Sequence, residues 1–265
     1  MTAPLFAVAS GKGGVGKTFL SIALAQSFAR LGQRTLLFDG DIGLANIDVQ
    51  LGLHPKGDLM QIVAGTMDME QAVAPFDGGP AKGGFDVLAG QSGSGALRGL
   101  QARELLLLGQ SLRLVSSGYD RTIVDLGAGL DSTVLELAVL CGRTLVVLTD
   151  EPTSLTDAYA LIKVLVQRPR SPALAVAINM VADENEGRRV YGALARATQR
   201  FLGFAPPLAG IVRRDAKVRD AIRAQAPYLT RSPSGIAAKD IAGLARGLDA
   251  SFQPAASAPV LAQVK

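Results

Sequence analysis

Nine residues near the N-terminus constrain the fold more than any others: Ser10–Thr18, SGKGGVGKT, set between the apolar run Leu5–Ala9 and the amphipathic stretch Lys17–Leu31. With Gly11, Gly16, Lys17 and Thr18 the segment satisfies G-x-x-x-x-G-K-[ST], a pattern that requires a strand before it and a helix after it. Glycines let consecutive backbone N–H groups turn inward around phosphate oxygens, and the following helix presents its positive end to the same point. A side chain at Gly13, Gly14 or Gly16 would crowd the phosphates or demand a disfavoured φ. Lys17 is placed to neutralise β/γ-phosphate charge and the Thr18 hydroxyl to ligate Mg2+.

The rest of the chain repeats the same unit. Short apolar runs at Thr35–Phe38, Phe85–Ala89, Arg121–Asp125, Thr144–Thr149, Leu174–Ile178 and Leu208–Val212 alternate with helical stretches. Those stretches are Ala102–Ser116, Ser132–Leu140, Ser154–Val166, Glu186–Phe201, Ala216–Gln225 and Ile236–Leu248. Continuous apolar strands separated by helices are the mark of a parallel sheet buried on both faces. The expected class is α/β, a doubly wound, mostly parallel seven- or eight-stranded sheet with helices on both faces, of the P-loop NTPase kind. Residues 1–250 read as one domain, and 251–265, rich in Ala and Pro, as a disordered tail. Gly78–Gly84 and Gly90–Gly99 read as turn-rich loops, the second at a strand end where a ligand loop or an ordinary surface loop would both fit.

Composition removes several chemistries. The 265 residues hold one cysteine, Cys141, and one histidine, His54, too few for a Cys/His zinc site, a disulfide framework or a dithiol pair. No apolar run is long enough to span a bilayer, and Met1–Ala9 lacks a basic signal region. The expectation is a cytoplasmic chain. Its net charge of +4 is uneven: residues 168–231 hold 12 Lys/Arg against 5 Asp/Glu, whereas residues 1–167 are net acidic. That basic segment carries Arg188, Arg189, Arg196 and Arg200, then Arg213, Arg214, Lys217, Arg219 and Arg223. It suits non-specific DNA, anionic lipid or simple solvation.

Carboxylates stand where open α/β sheets bind ligands, at the strand ends. Asp39 and Asp41 follow one apolar run and Asp125 ends another. Asn179 ends the run Leu174–Ile178, and no Asn-Lys-x-Asp guanine reader is present.

The second lysine of the loop, Lys12, gives it the form K-G-G-x-G-K-[ST]. This resembles the deviant Walker A loop of the MinD/ParA ATPases (SIMIBI class), and the resemblance extends over residues 5 to 248. It implies that Lys12 reaches across an ATP-dependent homodimer to the partner's nucleotide. It implies ATP and Mg2+ as cofactors, with Gly11, Lys12, Gly13, Gly14, Val15, Gly16, Lys17, Thr18 and Phe19 around the phosphates. Thr18, Asp39, Asp41 and Asp125 become the metal side, Asp125 as the Walker B acid and Asp41 as the residue that orients the attacking water. Lys12, Lys17 and Asp41 are then the catalytic set, and Asn179 the adenine contact. The family's proline beside the base is replaced by Arg213-Arg214-Asp215, so Arg213 is the candidate there.

The blocks DGDIGLANIDVQLGL (Asp39–Leu53) and DLGAGL (Asp125–Leu130) resemble the MinD branch, whereas EPTSLTDAYALIKVL (Glu151–Leu165), with Asn179–Val181, is most similar to the FlhG (FleN) branch, which controls the number and placement of flagella. In that setting Glu151 and Asp157 face a partner subunit. The chain departs from the branch in lacking room for an activating N-terminal helix and in ending with a tail broken by Pro254 and Pro259. The resemblance implies a slow, switch-type ATPase that binds an FlhF-like GTPase or a flagellar basal-body component, with transient contact at the membrane or cell pole. Alternatives are a ParA-like DNA-associated positioner and a MinD-type regulator of the division site. A metabolic relative fits less well, since an iron–sulfur type needs more cysteines than Cys141.

Overall fold

The computed structural model describes residues 5–41, 45–54, 57, 61–62, 64–89 and 102–251, apart from the side chains of 102, 249 and 250. An eight-stranded sheet runs through it. The strands are β1 (Leu5–Ser10), β2 (Thr35–Gly40), β3 (Ala74–Phe76), β4 (Phe85–Leu88), β5 (Arg121–Ala128), β6 (Arg143–Leu148), β7 (Ala173–Val181) and β8 (Leu208–Arg213). Their spatial order is β3-β4-β2-β5-β1-β6-β7-β8, and every pairing is parallel except β3 with β4. The helices are α1 (Lys17–Arg30), α2 (Ile47–Leu51), α3 (Met69–Ala72), α4 (Ala102–Ser116), α5 (Ser132–Cys141), α6 (Pro152–Val166), α7 (Glu184–Leu202), α8 (Ala216–Arg223), α9 (Tyr228–Arg231) and α10 (Ile236–Ser251).

Alternation along each strand divides the core. In β1, Leu5, Ala7 and Ala9 face the layer of α4, α5, α6 and α7, while Phe6 and Val8 face the layer of α1 and α10. Because β1 lies between β5 and β6, the chain changes direction across the sheet at its carboxyl end. That reversal point is where such sheets hold ligands.

One expectation is corrected, and the expected eighth strand is located. The stretch after the glycine loop is not amphipathic: in α1 every residue from Phe19 to Ala29 is buried, because α9 and α10 cover the side turned from the sheet. Alanines and serines on that side let the neighbouring helices approach. The eighth strand, β3, is too short and too interrupted by Pro75 to carry a periodic signal, and proline is confined to edges such as this one. Gly78–Gly84 folds as a short 3₁₀ turn (Pro80–Lys82) flanked by positive-φ glycines. The helix α10 continues through Ser251; the stretch 90–99 and the tail 252–265 lie outside the described residues.

Candidate functional site

The loop between β1 and α1 closes on itself before any ligand is considered. Ser10 Oγ donates to the Lys12 carbonyl at 2.6 Å. Gly14 and Gly16 have φ of 80° and 83°, a conformation that glycine alone adopts without cost. Gly13 has neither a positive φ nor a close neighbour, since a Cβ there would meet only Ala128 at 4.0 Å. Its need for glycine therefore comes from the phosphate side alone. Gly11 is required for packing: a Cβ would sit 2.1 Å from the Asp157 carbonyl oxygen of α6. Gly16 precedes α1 with no side-chain cap and no acidic residue in the first turn. The first N–H groups of that helix are left to the loop, as an anion cradle demands.

Beneath the loop the hydroxyls and carboxylates interlock. Thr18 Oγ1 donates to Asp125 Oδ2 at 2.6 Å and Ser21 Oγ donates to Asp125 Oδ1 at 2.8 Å. Asp125 lies in register beside Asp39, whose Oδ2 accepts the N–H groups of Asn46 (2.9 Å) and Ile47 (3.0 Å) and whose Oδ1 accepts that of Asp41 (3.1 Å). Burial, reinforced by the neighbouring Asp125 charge, pushes the Asp39 carboxyl up to about 7. Burial likewise pushes Asp125 up to about 6, opposed by Thr18, Lys17 and Ser21. Lys17 is buried with them. Asp41 is half-buried against Gly127, where a Cβ would come 3.1 Å from its Oδ1. Two buried carboxylates beside a hydroxyl and one ammonium form a hard-oxygen set that lacks positive charge, which fits Mg2+. Among the described residues no three His, Cys, Asp or Glu side chains converge as a metal cage.

Above the loop, Lys12 Nζ pairs with Glu151 and donates to Thr153 Oγ1 at 2.8 Å. Glu151 thus meets the loop lysine of its own chain. The Asp157 backbone rests on Gly11.

On the base side, Asn179 is buried and its Nδ2 donates to the Val15 carbonyl at 2.9 Å. The next residue, Met180, has a φ of 61°. Phe19 packs edge-on against Tyr228, with ring centroids 5.6 Å apart. Arg213 is the expected contact whose side chain is committed elsewhere. Its guanidinium donates to both Asp240 oxygens at 2.9 and 2.6 Å, and its backbone N–H to the same carboxylate at 3.0 Å. Part of the basic segment is likewise engaged, with Arg188 on Glu184, Arg200 over Phe201 and Arg214 on the Met180 carbonyl.

Ser21, Thr153 and Tyr228 went unread in the sequence. Ser21 had a usable signal, since it lies three residues after Thr18 on the same helix face.

A family model for the CobQ/CobB/MinD/ParA nucleotide binding domain matches residues 6–228. The antiactivator FleN of Pseudomonas aeruginosa is 36% identical over 251 residues, covering 95% of this chain and 88% of that protein. The flagellum site-determining protein YlxH of Helicobacter pylori is 32% identical over 193 residues, covering 73% of this chain and 63% of that one. Among solved structures, the septum site-determining protein MinD of Pyrococcus horikoshii complexed with Mg-ADP superposes with a TM-score of 0.73 at 21% identity. It covers 92% of this chain and 95% of its own.

Proposed function

Because the chain belongs to the CobQ/CobB/MinD/ParA nucleotide-binding family, we propose that it is an ATP-dependent dimerising switch that regulates the number or placement of flagella. The similarity to FleN and to YlxH supports the flagellar reading, and regulation of a division site of the MinD kind is the second reading that the fold allows.

ATP is the substrate and Mg2+ the cofactor. The Gly13–Thr18 amides cradle the phosphates, Lys17 neutralises the bridging charge, and Asn179 reads adenine from the side where it holds Val15. Thr18 and Asp125, backed by Asp39, would hold the metal, which would supply positive charge to the β- and γ-phosphate oxygens as the diphosphate leaves. Asp41, at the mouth of the cluster, orients the attacking water.

One observation carries the switch: Lys12 rests on Glu151 and Thr153 of its own chain, in a pair whose side chains are 35% and 60% exposed. An exposed pair is worth less than about 1 kcal/mol, so a partner's γ-phosphate can draw the lysine away. Hydrolysis removes that attraction and the lysine returns. Turnover is slow because the ATP state must last long enough to be read. Residues 1–250 act as the ATPase unit, with the remainder as a tail.

The partner is an FlhF-like GTPase or a basal-body component, met at the inner face of the membrane or the cell pole. No helix among the described residues is long and apolar enough to cross a membrane. DNA binding through residues 168–231 is the alternative: Arg213 is held by Asp240 within the chain, while Lys217, Arg219 and Arg223 stay exposed. The test is a deletion strain counted for flagella per cell by electron microscopy. An altered number or position, restored by the parent gene and not by Lys17→Ala, is the expected result; unchanged flagella with misplaced septa would transfer the function to cell division.

A further inference from the structure

Gln225 is one of three non-glycine residues with positive φ among those described, at 48°. A left-handed residue commonly ends a helix, and glycine or asparagine ordinarily supplies it. A side-chain-bearing residue is strained in that backbone, and such strain persists where its surroundings hold it. What holds Gln225 is α2: its Nε2 donates to the Val49 carbonyl at 2.8 Å. The side chain lies beside Gly52, which ends α2 with a φ of 63°; a Cβ added there would stand 3.5 Å from Gln225 Cβ.

Both helices joined by this bond are also fastened to the nucleotide loop. The start of α2 hangs from Asp39 through the Asn46 and Ile47 N–H groups, and Asp39 stands beside the Asp125 that holds Thr18 and Ser21. The start of α8 is capped by Asp215, whose Oδ1 accepts the Lys217 N–H at 2.9 Å. Asp215 Oδ2 accepts the Tyr228 hydroxyl at 2.7 Å, and the Tyr228 ring packs on Phe19 directly after Thr18. The helix α8 therefore meets the loop at its beginning through Asp215 and at its end through Gln225. Its outer face carries Lys217, Arg219, Ile222 and Arg223, with Asp220 among them, all exposed, so that three cations face one carboxylate.

We infer that Gln225 is a positioning residue that couples α2, and with it the Asp39–Asp41 carboxylates, to α8, so that the basic face of α8 is displayed differently with ATP than with ADP. The inference rests on the ATP reading above and adds the route by which the nucleotide state reaches the surface. A contiguous chain of contacts is a physical route only if perturbing one link changes the response.

The full-length chain with Arg219→Cys, labelled with an environment-sensitive fluorophore, supplies the readout. Cys141 stays unlabelled, being buried with its thiol pushed up to about 12. Emission is compared in Mg·ADP and in Mg2+ with a non-hydrolysable ATP analogue, and analogue affinity is measured separately by calorimetry. The labelled parent is expected to distinguish the two nucleotides. Gln225→Gly, which accepts positive φ without strain and keeps the fold, is expected to reduce that difference at least threefold while analogue affinity stays within twofold. Gln225→Lys, which still offers a donor to Val49, should retain at least half of it. An undiminished response in Gln225→Gly overturns the coupling, as does a labelled parent that binds the analogue with no change in emission. Failure to bind the analogue at all overturns the nucleotide reading and this inference with it.

Discussion

Below the phosphate loop and above it, carboxylates meet partners in opposite circumstances. Asp39 and Asp125 are 1% exposed, and burial raises both. Glu151, 60% exposed at its side chain, pairs with Lys12 in contact with water. The lower cluster is costly to ionise, cannot rearrange without disturbing β2 and β5, and is short of positive charge. The upper pair is cheap to break and stands on the first turn of a helix whose backbone touches Gly11. In the switch proposed above, one region is framework and the other the moving part, although both are built from an acid and its neighbours.

The largest effect belongs to the framework. Lys17→Ala is expected to weaken ATP binding more than about 100-fold by calorimetry, since it leaves two buried acids and the phosphates without their fixed cation. Far-UV circular dichroism should show the fold retained; a loss of less than tenfold would place the phosphates elsewhere.

The next effect is a pH dependence. In the folded chain Asp125 and Asp39 hold their protons up to about pH 6 and 7, whereas unfolded aspartates release theirs near pH 4. Between those values the folded state binds more protons, so stability without nucleotide falls as pH rises from about 4 to 7 and stays low above. Asp125→Asn should remove its share, on the order of 3 kcal/mol at pH 7.5, and raise the melting temperature relative to the parent there but not at pH 4. Equal shifts at both pH values would mean that Asp125 does not titrate as its burial requires.

Smaller changes are expected at the rim. Arg213→Ala should lower the melting temperature by about 2–4 °C, by removing both guanidinium donors from Asp240 while the backbone N–H remains, and leave ATP affinity within twofold. A tenfold loss of affinity would restore Arg213 to the base pocket. Glu151→Ala should leave the melting temperature within about 1 °C, as for exposed pairs generally, yet favour the ATP dimer severalfold in sedimentation by releasing Lys12. No change in dimerisation would remove the ion pair from the switch.

The same contrast decides what was legible in the sequence. Lys17, Thr18, Asp39, Asp41 and Asp125 could be placed because a local motif and strand ends fix them relative to the sheet. The parallel core could be read because its strands are continuous apolar runs. The contact of Lys12 with Glu151 spans 139 residues, and no local period records such a distance. Arg213 was placed by its position after a strand, and the competing acceptor Asp240 lies on a helix 27 residues later. Burial of α1 on all sides depends on α9 and α10, from the far end of the chain. Small helices such as α2 and α9 are too short to show a 3.6-residue period.

The central claim is that ATP closes two chains on each other and that hydrolysis parts them. Multi-angle light scattering of Asp41→Ala with saturating Mg·ATP tests it most directly. The account predicts twice the monomer mass with ATP and the monomer mass with ADP; a monomer under both conditions would contradict it.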